Sequence, residues 1–163
     1  MTSWRLAGAA DIPFVYELVA TIDPRWWRSS RHGLDPRRLL DSVELVAAAA
    51  AIMDDERQSI GFSILADVSG TSAVGAFEVF AVPGHESEVA SMVPEIVGAA
   101  FAGAPVRKLF YERFDDDPDL LMHMADAWKR EVTLPAFALI GGKYVDRHIF
   151  GLSREQHEQW RDR

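Results

Sequence analysis

The pattern of apolar and polar positions predicts a regular order of strands and helices in the first part of the chain. Trp4-Arg5-Leu6 is typical of a short strand. Asp11 is a helix-capping residue type, and apolar residues at helical spacing follow it, namely Phe14, Val15, Leu18, Val19 and Ile22. After a loop rich in Arg and Trp, Asp35-Pro36 predicts the start of a second helix, because proline is tolerated in the first turn.

The middle of the chain predicts three antiparallel strands. An apolar run from Val46 to Met53 ends at a charged turn, and residues 59–66 alternate in the manner of a strand. After a turn around Gly70, residues 72–82 are apolar on both faces, as expected for a central strand. Pro83-Gly84 predicts its end.

The following segment predicts a helix, a strand and a further helix. Residues 86–102 carry an apolar stripe at steps of three and four, and we expect a kink or a break at Pro94 inside it. Residues 106–112 have a strand pattern. Asp117-Pro118 then predicts the start of a helix. Its inward residues would be Leu121, Met124, Ala125 and Trp128.

The last part of the chain predicts a hairpin. Residues 133–140 and 143–152 are two strand patterns that meet at Gly141-Gly142. A short polar helix follows from Ser153. A hairpin of this kind closes a sheet, so it indicates fold more than reaction.

Composition narrows the class of protein. With 163 residues, 48% of them hydrophobic, we expect a single domain over residues 1–163. The chain has no cysteine, which excludes disulfides, thiolate zinc sites and a cysteine nucleophile. A net charge of -8 disfavours a nucleic-acid partner. The N-terminus lacks the pattern of an export signal and no apolar run is long enough to span a bilayer, so we expect a cytoplasmic protein with no membrane association.

The predicted order of elements resembles the GNAT acyltransferase superfamily along nearly the whole chain. The closing hairpin is similar to that of the branch that acetylates ribosomal-protein N-termini and small-molecule amines, and Leu152-Ser153-Arg154-Glu155 fits the Leu-x-Arg-Glu that often ends its last strand. The resemblance implies an α/β fold with a mixed, mostly antiparallel central sheet of about seven strands, flanked by four helices. It also implies acyl transfer from acetyl-CoA to a primary amine of a small molecule or peptide.

The family holds the coenzyme diphosphate with backbone amides at the start of the third helix, in a loop patterned Arg/Gln-x-x-Gly-x-Gly/Ala. The matching residues here are Val82, Gly84, His85, Ser87, Glu88 and Val89. This chain departs from the pattern, because Glu86 and Glu88 bring two carboxylates and the usual glycines are missing. Like charges oppose diphosphate binding, whereas acids in the first turn suit a plain helix start.

The resemblance suggests two catalytic candidates. Glu78 lies mid-strand, where several family members keep the carboxylate that takes a proton from the amine. A structural carboxylate paired with a buried cation or hydroxyl is the alternative. His123 lies near the position from which relatives donate a proton to the departing thiolate. A packing or surface role is its alternative.

Trp26, Trp27 and Arg28 fall where the family's acceptor-binding loop lies, and they predict an acceptor-binding surface. One Trp packed inward and one covering an apolar seam is the alternative. A sheet edge or the C-terminal hairpin could mediate a homodimer. Two functional hypotheses therefore stand: a GNAT-type N-acetyltransferase, and a GNAT-fold protein without coenzyme A binding that serves as a partner protein or catalyses another reaction.

Overall fold

The structure is a computed structural model that describes residues 1–21 and 46–163. The predicted second helix, from Asp35-Pro36, lies outside the described residues. The described strands and helices, in chain order, are β1 (Ser3–Leu6), α1 (Ile12–Thr21), β2 (Val46–Met53), β3 (Ser59–Ser69), β4 (Val74–Ala81), α2 (Glu86–Gly103), β5 (Lys108–Phe114), β6 (Lys129–Ile140), β7 (Lys143–Ser153) and α3 (Arg154–Arg161).

The seven strands form one sheet in the order β1-β2-β3-β4-β5-β7-β6. Neighbouring strands are antiparallel except β4 and β5, which are parallel. A parallel neighbour needs a crossover connection, and α2 supplies it between these two strands. The predicted mixed, mostly antiparallel α/β sheet of about seven strands is confirmed.

Helices cover both faces of the sheet. Along β4, Phe77 and Val79 belong to an apolar cluster that includes Val93 and Val97 of α2. Phe80 points to the opposite face, into a second cluster with Val15 and Leu18 of α1. This alternation explains why β4 is apolar on both faces.

The helix α2 is anchored to the sheet by close contact with β3. Val89 is completely buried, and a Cβ added to Gly61 would lie 2.5 Å from Val89 Cγ2 and 2.7 Å from the Phe80 carbonyl oxygen. Only a residue without a side chain fits there. Of the predicted kink or break at Pro94, the break is absent, because the helix continues past this residue.

The start of α1 is tied to β1 by an ion pair. The Asp11 carboxylate accepts hydrogen bonds from the Arg5 guanidinium at 2.6 and 2.9 Å and from the Gly8 amide at 2.8 Å. The hydrogen bond from Arg5 is the largest cause that holds the pKa of Asp11 below its usual range. Asp11 lies just before α1, as predicted, but its carboxylate bonds back to Gly8, which is the capping residue of the short 3-10 turn Ala9–Asp11.

The predicted helix from Asp117 is wrong. This segment contains only a short 3-10 turn, Met122–Met124. Asp117 accepts a hydrogen bond from the Phe114 amide at 2.6 Å, and Asp119 accepts one from the Leu121 amide at 3.2 Å. Such side-chain bonds to nearby amides compete with helical hydrogen bonds.

The inward residues of that segment are largely as predicted. Leu121, Met124 and Trp128 are buried, and Ala125 is exposed, contrary to the prediction. The described residues contain three α-helices, and the helix predicted from Asp117 is not among them.

The last two strands form the predicted hairpin, which turns at Gly141 and Gly142, both with positive φ. The strand β6 is the outer edge of the sheet, and its pairing with β7 shifts register between Leu134 and Ala138. The polar helix predicted from Ser153 is present as α3, and Ser153 caps it in a capping box with Gln156.

No helix in residues 1–21 and 46–163 has the length and apolar character needed to cross a membrane.

Candidate active site

The parallel strands β4 and β5 separate along their length. They pair over three positions, Val74 with Lys108, Gly75 with Leu109 and Ala76 with Phe110. Beyond Ala76, β4 stays paired with β3 as far as Ala81, and β5 stays paired with β7 as far as Phe114. A gap therefore opens between the carboxyl halves of the two strands, which we call the β4–β5 gap. In open sheets, ligands bind at the carboxyl ends of strands where the topology changes direction.

Glu78 lies on β4 two residues past the last β4–β5 pair, opposite Ile64 of β3. It is half-buried, and its immediate neighbours in sequence, Phe77 and Val79, are buried. Its side chain points to the α1 face with Phe80, because side chains alternate along a strand. The gap thus has a partly accessible carboxylate on one border.

Tyr111 lies on the other border of the gap, on β5, and its side chain is almost completely buried. Burial raises the pKa of its hydroxyl, and the charges of Asp117, Asp119 and Glu78 raise it further, while Arg113 lowers it. Tyr111 is therefore a neutral hydroxyl at physiological pH.

Trp128 spans the gap on the α2 face of the sheet. Its ring centroid is 6.3 Å from that of Phe77 on β4 and 6.1 Å from that of Tyr111 on β5. The indole is 6% exposed, and its Nε1 has no hydrogen-bond partner. Spacing alone predicted an inward Trp128, but nothing in the sequence indicates that its N–H would be left without an acceptor.

The turn that leads into α2 lies at the carboxyl end of β4. Gly84 has a φ of 94°, in the region that favours glycine. Its amide donates to the Glu86 carboxylate at 3.0 Å, and His85 Nδ1 is 2.7 Å from the Glu88 carboxylate. The residue that caps the helix, His85, makes no side-chain bond to the helix amides. The carboxylates of Glu86 and Glu88 thus contact residues of the turn that precedes the helix.

The other residues predicted to hold a diphosphate lie in this turn and the first turn of α2. Val82 is half-buried, and Ser87 is exposed. Val89 is buried against Gly61, and its amide already donates to the His85 carbonyl within the helix at 3.0 Å. The structure therefore brings the six predicted residues together around one helix end, although the Val89 side chain faces the core.

The residues of that helix end and of α2 itself carry net negative charge. The sequence from residue 82 to residue 106 contains three glutamates and neither lysine nor arginine. The third glutamate, Glu95, accepts a hydrogen bond from the Trp4 indole at 3.2 Å. The amides at a helix start attract anions, but here the carboxylates of the first turn already interact with that positive end and repel a further anion.

His123 lies in the short 3-10 turn and is exposed. Its predicted helical setting is wrong. The predicted acceptor residues Trp26, Trp27 and Arg28 lie outside the described residues.

A chain of polar side chains centred on His148 lies near the end of β5. His148 is buried; its Nε2 lies 2.7 Å from Asp115 and its Nδ1 lies 3.0 Å from the Thr133 hydroxyl. The hydrogen bond with His148 is the main cause that lowers the pKa of Asp115. Within the described ranges, no group of three or more histidine and acidic side chains is placed to hold a metal ion.

Comparison with solved structures agrees with this geometry. A spermidine N-acetyltransferase SpeG from Vibrio cholerae, in complex with CoA and spermine, superposes with a TM-score of 0.77 at 14% identity, covering 96% of this chain and 98% of that one. A SpeG chimera of Vibrio cholerae and hSSAT gives a TM-score of 0.75 at 14% identity and 99% coverage of both chains. A candidate phosphinothricin N-acetyltransferase gives 0.72 at 14% identity, covering 94% and 98%.

These similarities establish the fold: the chain has the GNAT acyltransferase fold, as the order of its elements predicted. Sequence comparison with protein-family models gives no match, and neither does a sequence search of curated proteins. Substrate and mechanism must therefore be argued from the side chains at the gap.

Proposed function

We propose that this protein transfers an acyl group from a thioester to an amine of a small molecule or peptide, in the β4–β5 gap. The observation that carries the proposal is the separation of β4 and β5 immediately before Glu78. This separation gives a thioester a place between two strands, beside a carboxylate. Acetyl-CoA is the donor that the sequence resemblance implies.

Glu78 is the proposed general base. A protonated amine cannot attack a carbonyl carbon, so a carboxylate at the gap that removes its proton raises the reactive fraction. A thioester supplies an activated carbonyl carbon and a thiolate leaving group. Tyr111, held neutral by its burial, can orient a bound carbonyl or thiolate as a hydrogen-bond donor. His123, an exposed residue, remains a second candidate acid.

The acceptor is proposed to be cationic before it loses its proton. The net charge of -8 creates a potential that attracts amines and repels anions. Trp26, Trp27 and Arg28 are proposed to shape the acceptor side. A solved neighbour holds CoA and spermine together, which supports an amine acceptor in this fold.

The gap suits the thioester arm of acetyl-CoA, whereas the start of α2 suits its diphosphate poorly. The apolar border of the gap suits a thioester arm, with Phe77 and Tyr111 on either side. The start of α2 suits a diphosphate poorly, because the Gly84 amide already donates to Glu86. Adding a diphosphate there would bring like charges together.

The hydrogen bond from the Gly84 amide to the Glu86 carboxylate favours a second candidate function. A GNAT-fold protein whose helix start is closed by its own carboxylate could bind a partner or an uncharged ligand in the gap without using coenzyme A. The two functions share the fold and differ in whether the donor is bound.

Titration with acetyl-CoA in a thermal-shift assay, followed by mass spectrometry of polyamines and short peptides incubated with donor and protein, tests the proposal. Binding to the folded state raises the melting temperature with the logarithm of ligand concentration. We expect a rise and a product heavier by one acetyl group. No acetylated amine with any thioester donor would overturn the acyltransferase and leave the second candidate.

A further inference from the structure

The indole N–H of Trp128 is buried at the site without a hydrogen-bond partner, as is Nε of Arg113 on β5. Buried donors in proteins almost always have an acceptor, so an exception requires an explanation. The two other tryptophans in the described ranges do have acceptors: Trp4 donates to Glu95 at 3.2 Å and Trp160 donates to Asp126 at 3.0 Å. Trp128 is more deeply buried than either and has none.

The position of this indole connects it with the gap. Its ring centroid lies 6.3 Å from that of Phe77 on one border and 6.1 Å from that of Tyr111 on the other, so a ligand that reached this depth of the gap would lie close to it. A ligand carbonyl oxygen is the acceptor that would satisfy an indole N–H, which can only donate. On this face of the sheet the border carries the rings of Phe77 and Tyr111, while the Glu78 side chain points to the α1 face, so this face suits an uncharged chain containing amide carbonyls.

The other end of the site selects against negative charge. Glu86 accepts from the Gly84 amide, Glu88 is paired with His85, and residues 82–106 offer no lysine or arginine. A diphosphate would therefore meet two carboxylates at the helix start, and the repulsion would offset what its contacts with the amides contribute.

We infer that the chain recognises its acyl donor by the uncharged amide and thioester arm, through the Trp128 N–H, and gains no affinity from the diphosphate. The donor class is thus an acyl pantetheine-type thioester, with or without a nucleotide attached. This inference rests on the proposed acyl transfer, but it concerns binding and has a readout of its own.

Thermal shifts with pantetheine and with coenzyme A test which part of the donor is recognised. A site that uses the diphosphate would be stabilised far more by coenzyme A. We expect equal concentrations of the two probes to raise the melting temperature to a similar extent, with apparent affinities within about threefold. A preference for coenzyme A of more than about tenfold would overturn the inference, since that corresponds to a substantial diphosphate contribution.

Variants of Trp128 test the indole N–H. Trp128→Phe should weaken pantetheine binding by roughly tenfold, the effect of losing one buried hydrogen bond. Trp160→Phe, which removes an indole N–H bonded at the surface, is the matched control and should leave pantetheine binding unchanged. Replacement of Trp128 by benzothienylalanine keeps the ring shape and removes the N–H, so it tests the same bond if the phenylalanine variant fails to fold.

Unchanged pantetheine binding in a folded Trp128 variant would overturn the role of this residue. Acetyl transfer from acetyl-pantetheine and acetyl-CoA at similar kcat/KM would support both the inference and the acyltransferase. A strong preference for acetyl-CoA would overturn the inference alone. Pantetheine binding without transfer to any amine would overturn the acyltransferase alone.

Discussion

The Glu86 carboxylate accepts a hydrogen bond from the Gly84 amide at 3.0 Å, across the turn that joins β4 to α2. This contact places a negative charge from the chain itself at the helix end where an anionic ligand would bind. Glu88 strengthens the negative field, because it lies two residues further in the same turn of helix and contacts His85. Two side chains therefore place negative charge at this helix end.

Removal of one of these charges should improve coenzyme A binding. For Glu86→Gln we expect the dissociation constant of coenzyme A to fall about fivefold, since one unit charge a few ångströms away contributes about 1 kcal/mol in a solvated setting. Isothermal titration calorimetry would measure the change. Pantetheine binding should stay the same, because pantetheine carries no phosphate.

Glu95→Gln is the control for that charge effect, since Glu95 lies on the same helix and bonds to Trp4 away from the turn. The improvement in Glu86→Gln should shrink as salt is raised from about 0.05 M to about 1 M, because ions screen an exposed charge. An equal gain from Glu95→Gln would show that net charge alone, and not the turn, governs binding.

Glu78→Gln tests the proposed general base. We expect kcat/KM for acetylation to fall by about a hundredfold to ten-thousandfold at neutral pH, with little change in the melting temperature. The loss should become smaller at high pH, where more of the amine is already deprotonated. A pH–rate profile of the purified variant checks both points, and a uniform loss at all pH values would indicate a structural carboxylate instead.

Gly61→Ala should destabilise the fold, because the new Cβ would meet Val89 and the Phe80 carbonyl oxygen at distances that real atoms do not adopt. We expect a loss of about 1–3 kcal/mol in the free energy of unfolding, as for overpacked cores. Urea denaturation measures it. Gly70→Ala, at a position with open space, should change stability by less than about 0.5 kcal/mol.

His157 should make stability depend on pH in the weakly acidic range. The residue is buried between Phe101 and Trp160, and burial, with the charges of Arg161 and Arg154, lowers its pKa below the ordinary 6.5. The unfolded chain therefore binds a proton more readily than the folded one. Its contribution is fully present above pH 6.5 and is lost as the pH falls through the lower folded value.

His157→Phe keeps the ring contacts and removes the proton. We expect its melting temperature to vary less than that of the wild type between about pH 7.5 and about pH 5. His123→Gln, which changes an exposed histidine, should retain the wild-type pH dependence. Parallel curves for wild type and His157→Phe would contradict the assignment.

The sequence predicted the fold well where the apolar positions or turn residues along the chain match the packing in the structure. The stripe that ends at Phe101 identified α2, and the paired glycines at 141 and 142 identified the last hairpin. The strand β6 begins at Lys129, earlier than predicted, because pairing with Gly151 of β7 outweighs the polar character of its first residues. Local carboxylate bonds, which periodicity does not reveal, removed the predicted helix from Asp117.

The candidate site was only partly predictable. Family resemblance pointed to Glu78 and to the turn at Gly84, and the acidic residues of that turn were visible in the sequence. The bond between Gly84 and Glu86 depends on a positive φ and a side-chain rotamer, which sequence does not specify. Whether the Trp128 N–H finds an acceptor depends on the groups that other segments of the chain bring near it, so only the folded structure shows that it has none.

The register shift in β6 also limits how copies of this chain can assemble. Pro135 lies in the shifted stretch and has no amide hydrogen, while the Ala136 amide is already bonded to Asp146 at 2.8 Å. A neighbouring molecule therefore cannot extend the sheet along the whole of this edge by main-chain hydrogen bonds. Any assembly formed there would depend on exposed side chains such as Phe137 and Leu139, and would be sensitive to single substitutions among them.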